Sequence, residues 1–346
     1  MNYALIDTRE IEEALAWLND YWHRPTHPEY YDARTMDEAV SLLDKYGEEA
    51  KIIAGGIDVV GLMKTRQLFP GVLINIKSIA NMANIAENDG GIAIGALSLI
   101  NDIERSSLIR SKYHVLFEAA RSIASPQLRN MATVGGNLCQ DVRCLYYRMS
   151  PVTGVSYNCR RKKEDSICYA INGENQHHAI MSGNKCFAVC PSDMATVLLA
   201  LGAELHTVST SGGRVIPVSE FYVDFGNVLK PEEIVKTIQV PDIEPGVKQR
   251  FLKFRLRKTI DFAIVSVAAV ISFNDNIVSN ARIVLGGVSS APYRAVEAEK
   301  ILVGEPLTKN VVEEAARAAV IKAMPLSKNG YKVPIGKALV KRALLK

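Results

Sequence analysis

Apolar and polar residues follow two different periods along this chain. In TMDEAVSLLDKY (35–46), Val40, Leu42 and Leu43 fall on one side of a helix. Thr35 followed by Glu38 has the spacing of a capping box, which satisfies backbone N–H groups at a helix start. Residues 51–54, 72–79 (VLINIKSI) and 91–100 (GIAIGALSLI) are short apolar runs of strand length. Helical spacing returns after Ser111 with Val115, Leu116, Ala119, Ala120 and Ile123. Ser125–Pro126 is expected to end that helix, because the residue before a proline is pushed out of the helical region. FAVCPSDMATVLLALGAEL (187–205) reads as strand, turn, helix and strand. A polar stretch at 240–249 marks a boundary. Beyond it, 251–273 reads as one or two strands around a capped helix, and 279–295 as a strand and a glycine turn. Amphipathic helices follow at 295–302, 311–324 and 335–345. At the other end, Ile11, Ala14, Leu15 and Leu18 have helical spacing within an N-terminal extension, 1–26, closed by a proline-broken segment.

Composition narrows the classes. The chain has 346 residues, enough for two or three domains, and 41 basic against 37 acidic residues. A net charge of +4 with no basic face carrying interleaved aromatics argues against nucleic acid. No apolar run approaches the ~18 residues of a membrane span. The first residues carry charges throughout and lack the apolar core of a signal peptide, so a soluble, cytoplasmic chain is expected.

Two glycine pairs stand at strand or loop ends. In KIIAGGIDVV, Gly55 and Gly56 precede Asp58; in RNMATVGGN, Gly135 and Gly136 lie between Thr133 and Asn137. Such pairs let the backbone turn sharply and aim several N–H groups one way, which suits a diphosphate, although ordinary turns use them too. Neither has the G-x-G-x-x-G spacing, so a Rossmann domain is not indicated. Small residues at Gly95–Ala96 would also permit close approach of a ligand. Asp193, after a proline and before an apolar helix, has the position of a helix-capping acid. Lys253 alone would be a solvated charge, and the adjacent His177 and His178 read as solvated loop residues.

All six cysteines lie between Cys139 and Cys190. A disulfide framework does not suit a reduced compartment. The best-spaced four, Cys144, Cys159, Cys168 and Cys186, are separated by 15, 9 and 18 residues, unlike the tight pairs of a structural zinc. Four thiolates holding an iron–sulfur cluster is the third reading. Six unconnected buried cysteines is the fourth.

The flanks, ATVGGN before the cysteines and PSD after them, resemble the FAD-binding subunit of the molybdenum hydroxylases, the xanthine dehydrogenase and carbon monoxide dehydrogenase family. The resemblance covers about residues 28–346. The version with extra cysteines, NLCQDVRCLYYR here, looks like the beta subunit of 4-hydroxybenzoyl-CoA reductase. It is also similar to the FAD subunit of periplasmic-type aldehyde oxidoreductases.

The resemblance implies an α+β fold: a two-lobed FAD-binding domain of the PCMH/VAO type at 27–243, interrupted by a [4Fe–4S] insertion at about 139–190. A small C-terminal domain of antiparallel sheet and helices would follow at 244–346. FAD would be held by Ile53, Ala54, Gly55, Gly56, Ile57, Asp58 and Val59 in a first loop, with Ile57 replacing the family's polar residue. Ala96, Thr133, Gly135, Gly136, Asn137 and Gln140 would supply a second loop. Asp193 would bond an FAD hydroxyl and Lys253 would lie near the flavin ring. Cys144, Cys159, Cys168 and Cys186 would hold the cluster, with Cys139 beside the flavin and Cys190 buried. Nearby Arg143, Arg148, Arg160, Arg161, Lys162 and Lys163 would offset its negative charge. The chain supplies no catalytic residue of its own, no C-x4-C-x2-C motif for a [2Fe–2S] centre and no room for a molybdopterin domain. The implied partners are therefore a molybdopterin-binding large subunit and a small subunit with two [2Fe–2S] clusters, as a dimer of heterotrimers. Two alternatives are an FAD subunit of an aldehyde or purine/N-heterocycle dehydrogenase, and a non-catalytic, zinc-stapled scaffold.

Overall fold

The structure, a computed structural model, describes residues 27–150, 155–181 and 185–345. The helix expected in the N-terminal extension lies outside them. Three strands, β1 (Glu29–Asp32), β2 (Ala50–Ile53) and β3 (Val72–Asn75), form a small parallel sheet in the order β1-β3-β2. The crossover from β1 to β2 is helix α1 (Met36–Tyr46), which buries Ala39, Val40 and Leu43. Thr35 caps it through Oγ1, which accepts from the Glu38 N–H at 3.1 Å. The Glu38 carboxylate reaches one residue further back, to the Arg34 N–H at 2.8 Å, so the capping box closes on the residue before the cap.

A second, antiparallel sheet contains β4 (Ile85–Asn88), β5 (Gly91–Gly95), β6 (Glu204–Val208), β7 (Val215–Pro217) and β8 (Ile234–Pro241), in the order β4-β5-β8-β6-β7. The strand β8 is its spine. Ile238 stands opposite Ile94 on one side and Leu205 on the other, all three fully buried. The helix expected after Ser111 runs His114–Ser122 (α3). Ser125–Pro126 does not end it: the chain leaves the helix at Ile123 and Ala124, and Ser125 caps a new short turn with proline in the first position.

The C-terminal part is an antiparallel meander of β9 (Lys248–Phe254), β10 (Val265–Asn274), β11 (Ile277–Gly286) and β12 (Tyr293–Arg294). Two helices, Val296–Leu302 and Lys332–Leu345, pack on it, and a third, Lys309–Ala318, packs against those two. No helix lies between β9 and β10, contrary to the expectation from the sequence. Residues 255–264 form a loop pinned by Arg257, whose N–H and guanidinium both bond the Asp261 carboxylate. Helix α4 (Asp193–Leu201) joins the two halves. Every one of its residues is buried, and it packs against α3 on one side and β10 and β11 on the other. Its cap is Ser192, whose hydroxyl accepts from the Ala195 N–H at 3.0 Å. Asp193 is the first helical residue rather than the cap.

Candidate functional site

A cleft of about 800 Å³ opens where the parallel sheet, the second sheet and the loop at 255–264 meet. The end of β2 forms one wall. Strand alternation turns Ile52 and Ala54 toward the cleft and Ile53 away from it. Ile53 therefore does not line the cleft, as the family resemblance implied; its side chain packs beneath Gly56. Ala54, Gly55, Gly56, Ile57, Asp58 and Val59 do line it. The N–H groups of Gly55, Gly56 and Ile57 have no acceptor among the described residues. Gly56 has φ +72°, a conformation that side chains resist, and a Cβ on Gly55 would stand 2.0 Å from the Met131 carbonyl oxygen. The two glycine segments therefore touch each other through backbone.

The second segment is not a loop but the first turn of a helix, Val134–Cys139. Thr133 caps it, accepting from the Gly136 N–H at 3.1 Å, so its oxygen is already an acceptor and its proton remains free to donate. The Gly135 N–H is taken by the Ala96 carbonyl at 2.9 Å, which makes Ala96 the backrest of this turn. Asn137 accepts from the Ser192 hydroxyl at 2.7 Å, and Gln140 donates to the Asn137 carbonyl. Ala96, Thr133, Gly135, Gly136, Asn137 and Gln140 line the cleft, as do Asp193 and Lys253. The last two form a buried ion pair at 2.5 Å, with side chains 5% and 4% exposed. Lys253 is thus not a solvated charge.

Asp58 lines the cleft but its carboxylate is engaged elsewhere. It accepts from Arg143 at 2.9 Å, from Arg148 at 3.0 and 3.2 Å, and from the Asp141 N–H at 3.0 Å. It ties the glycine loop to the cysteine-rich segment rather than offering oxygens to a ligand.

Sequence reasoning missed two further stretches of the cleft wall, Asn227–Val235 in part and Ile260–Phe262. Ala124 and Ile260 both have positive φ, 45° and 59°, and the Ile260 N–H donates to the Ala124 carbonyl at 3.2 Å. A β-branched residue in that region is costly, about 1–3 kcal/mol, and such strain gathers at functional sites. Nothing in the local sequence announces it.

The cysteine-rich segment leaves and re-enters the fold at one point. Arg143 and Val189 exchange two backbone hydrogen bonds, at 2.9 and 3.0 Å. Within the segment a small core of its own forms around Tyr146, Ala170 and Phe187, with Tyr157 and Tyr169 packed edge-on at 4.8 Å. Cys144, Cys159, Cys168 and Cys186 all line one small cavity against this core. Cys139 instead faces the large cleft, and Cys190 is buried with its N–H on the Ser289 carbonyl. Among the described residues no three His, Cys, Asp or Glu side chains are grouped as a single metal ion would need.

Burial pushes the Cys144 thiol up to about 12. Of the six basic residues near the first cysteines, Arg161 reaches a thiol, with Nη1 4.0 Å from Cys186 Sγ. Arg143 and Arg148 share the single negative charge of Asp58, and Arg161 also pairs with Asp141 at 3.2 Å. His178 is not a solvated loop residue. It is buried, its Nε2 lies 3.2 Å from Cys144 Sγ, and its pKa is held down to about 4 by burial first and then by Lys332 and His177.

Comparison with known proteins bears on the large cleft. Residues 24–243 match the FAD binding domain in molybdopterin dehydrogenase, and residues 250–346 match the CO dehydrogenase flavoprotein C-terminal domain. The chain belongs to that family. It is 34% identical to the aldehyde oxidoreductase FAD-binding subunit PaoB of Escherichia coli, over 72% of this chain and 78% of that one. It is 29% identical to the carbon monoxide dehydrogenase medium chain of Hydrogenophaga pseudoflava, over 92% and 96%. The solved carbon monoxide dehydrogenase from the same organism superposes with a TM-score of 0.74 at 28% identity, covering 92% of this chain and 96% of that one. The α+β fold is accordingly a family FAD-binding domain followed by a flavoprotein C-terminal domain, and the chain is an FAD-binding oxidoreductase subunit. No helix among the described residues is long and apolar enough to cross a membrane.

Proposed function

We propose that this chain is the electron-transfer subunit of a molybdenum hydroxylase-type complex, carrying FAD in the large cleft and a [4Fe–4S] cluster between Cys144, Cys159, Cys168 and Cys186. The observation that supports the second centre is the convergence of four thiols, spread over 43 positions of sequence (144 to 186), on one cavity that excludes the other two. Bound FAD would exchange one or two electrons and the cluster one. The protein's part is to hold both. The free N–H groups at Gly55–Ile57 suit the diphosphate, Thr133 can donate to it, and the Asp193–Lys253 pair presents a fixed dipole to the rest of the cofactor. Asp58, Arg143 and Arg148 keep the two centres in one rigid frame. The partners that this role requires are a molybdopterin-binding large subunit and a small subunit with two [2Fe–2S] clusters, in a dimer of heterotrimers.

For the substrate of the whole complex, identity to the Escherichia coli protein favours an aldehyde. The 4-hydroxybenzoyl-CoA reductase reading rests on the cysteine segment alone, and that segment serves either substrate.

Flavin and iron analysis of the purified complex tests the reading. Serine at any of the four cysteines is expected to remove the roughly four irons per chain of such a cluster while FAD stays bound. Serine at Cys139 or Cys190 is expected to keep them. Iron lost from the Cys190→Ser protein and retained in Cys186→Ser would refute the ligand set. A colourless, zinc-loaded chain without flavin would refute the function.

A further inference from the structure

We propose that His178 donates a hydrogen bond from Nε2–H to the Cys144 sulfur and thereby makes the cluster held by that cysteine easier to reduce. This rests on the cluster reading above. A neutral imidazole and a thiol leave the direction of the 3.2 Å contact open, since either can donate. Ligation closes the question: an iron-bound sulfur has no proton and can only accept, so the proton must sit on Nε2. The other ring nitrogen agrees. Nδ1 is buried and forms no hydrogen bond among the described residues. The backbone of the ring's own residue is fixed as well, its N–H donating to the Asn175 carbonyl at 3.0 Å.

The ring is held in place by the C-terminal part of the chain. Asn329 Nδ2 donates to the carbonyls of His178 and Ala179, at 3.2 and 3.1 Å. Lys332 Nζ, in a residue 1% exposed, donates to the carbonyls of His177 and Gly287, at 3.0 and 2.9 Å. Three fixed bonds on the backbone of adjacent residues are a large outlay of polar groups for a solvated loop. They are what a side chain needs if its distance to a sulfur is to be constant.

Reduction of the cluster adds one negative charge, shared with its ligand sulfurs. A hydrogen bond to one of those sulfurs is strengthened by that charge and so stabilises the reduced form; bonds of this kind are among the factors that set cluster potentials. His178 is therefore a positioning and tuning residue. The bond is made by the neutral ring and involves no change in its protonation.

The test is a redox titration of the holoenzyme followed by the electron paramagnetic resonance of the reduced cluster. In His178→Phe, which keeps the ring volume and removes the donor, the reduced-to-oxidised ratio at a fixed solution potential should fall about tenfold, or about 59 mV for a one-electron couple. His178→Gln, whose amide nitrogen reaches about as far as Nε2, should restore most of it. Full iron with an unchanged midpoint in the Phe variant would overturn the proposal alone. Wild-type protein without iron would overturn it together with the cluster reading. If the Phe variant fails to assemble, wild-type protein labelled with ¹⁵N-histidine decides. A weak nitrogen coupling to the reduced cluster, with an exchangeable proton, supports the bond. No nitrogen coupling, or one of ligand strength, overturns it.

Discussion

Replacing Gly55 by alanine probes the contact on which the cofactor cleft depends. The added Cβ would lie 2.0 Å from the Met131 carbonyl oxygen and 2.9 Å from its carbonyl carbon, where 3.0 Å is the floor for real contacts. The two segments must therefore separate by about 1 Å. Neither can yield cheaply. The end of β2 is held by the Ile76 N–H on the Ile53 carbonyl, and the facing segment by the Ala132 N–H on the Leu128 carbonyl and the Ile100 N–H on the Ala132 carbonyl. Overpacking of this sort costs about 1–3 kcal/mol, and two backbones in contact place it at the upper end. Part of that cost falls on the native state and part on the ligand, because a diphosphate bridging both segments loses register with one of them. A loss of about 1.4–2.8 kcal/mol in binding is a ten- to hundredfold weaker Kd for FAD. Flavin fluorescence during titration of the apoprotein measures it. Gly61→Ala is the control: its Cβ would meet nothing within 4 Å, so there the substitution should stabilise by about 0.4–1 kcal/mol and leave FAD affinity unchanged. A Gly55→Ala protein that binds FAD within about twofold of wild type would refute the claim that these segments form one site.

Asp58→Asn should cost about 1.5–3 kcal/mol, toward the low end because Arg143 is 31% exposed, and should speed amide exchange across 141–149; unchanged exchange there would deny the tether. Lys253→Met leaves the Asp193 carboxylate buried without its partner, a loss of about 3–5 kcal/mol. Adding Asp193→Asn should recover more than half of it in a double-mutant cycle by urea denaturation, whereas additive losses would show that the pair is not coupled. Burial disfavours the Glu233 charge, but the Arg214 fork, the Thr207 hydroxyl and the Lys230 N–H outweigh it and hold the carboxyl down to about 2 against an ordinary 4.5. Its folded pKa is depressed, so its stabilisation is complete above about pH 5 and is lost as pH falls toward 2. Glu233→Gln should be less stable by about 2 kcal/mol at neutral pH, after allowance for the exposed Arg214, and equal to wild type near pH 2. A difference that does not shrink with acid would rule out this carboxylate as the source.

Local pattern exposed some parts of the fold and not others. Helix α4 was legible because an unbroken apolar run follows a proline turn, and β11 because its apolar stretch ends in paired glycines. The spine strand β8 was not, since its role comes from pairing with β5 and β6, which lie far away in sequence. The loop at 255–264 was misread because an isolated, well-formed polar stretch between apolar runs looks like a helix start; the Arg257–Asp261 bond that makes it a loop is invisible to periodicity. At the site, glycine pairs and cysteine positions were legible as types of residue. The engagement of Asp58 by arginines 85 and 90 positions later was not. Nor was the pairing of Lys253 with Asp193, or of His178 with Cys144. A charge is read as solvated until its partner is known, and partners at long sequence separation are set by topology.

The two hydrogen bonds between Arg143 and Val189 make the cysteine-rich segment a detachable module. The chain departs and returns through adjacent residues of one bridge, so a short turn could replace everything between them without re-routing a strand. The flavin-binding fold could gain or lose its second redox centre in a single insertion or deletion. What such an event would strand lies at the other end of the chain. Asn329 and Lys332 are buried, and both donate to carbonyls of the module, Asn329 to His178 and Ala179 and Lys332 to His177. A relative built on this fold without the module would leave the Asn329 amide without its carbonyls and Lys332 with the Gly287 carbonyl alone, and apolar residues at those places would be the mark of its absence.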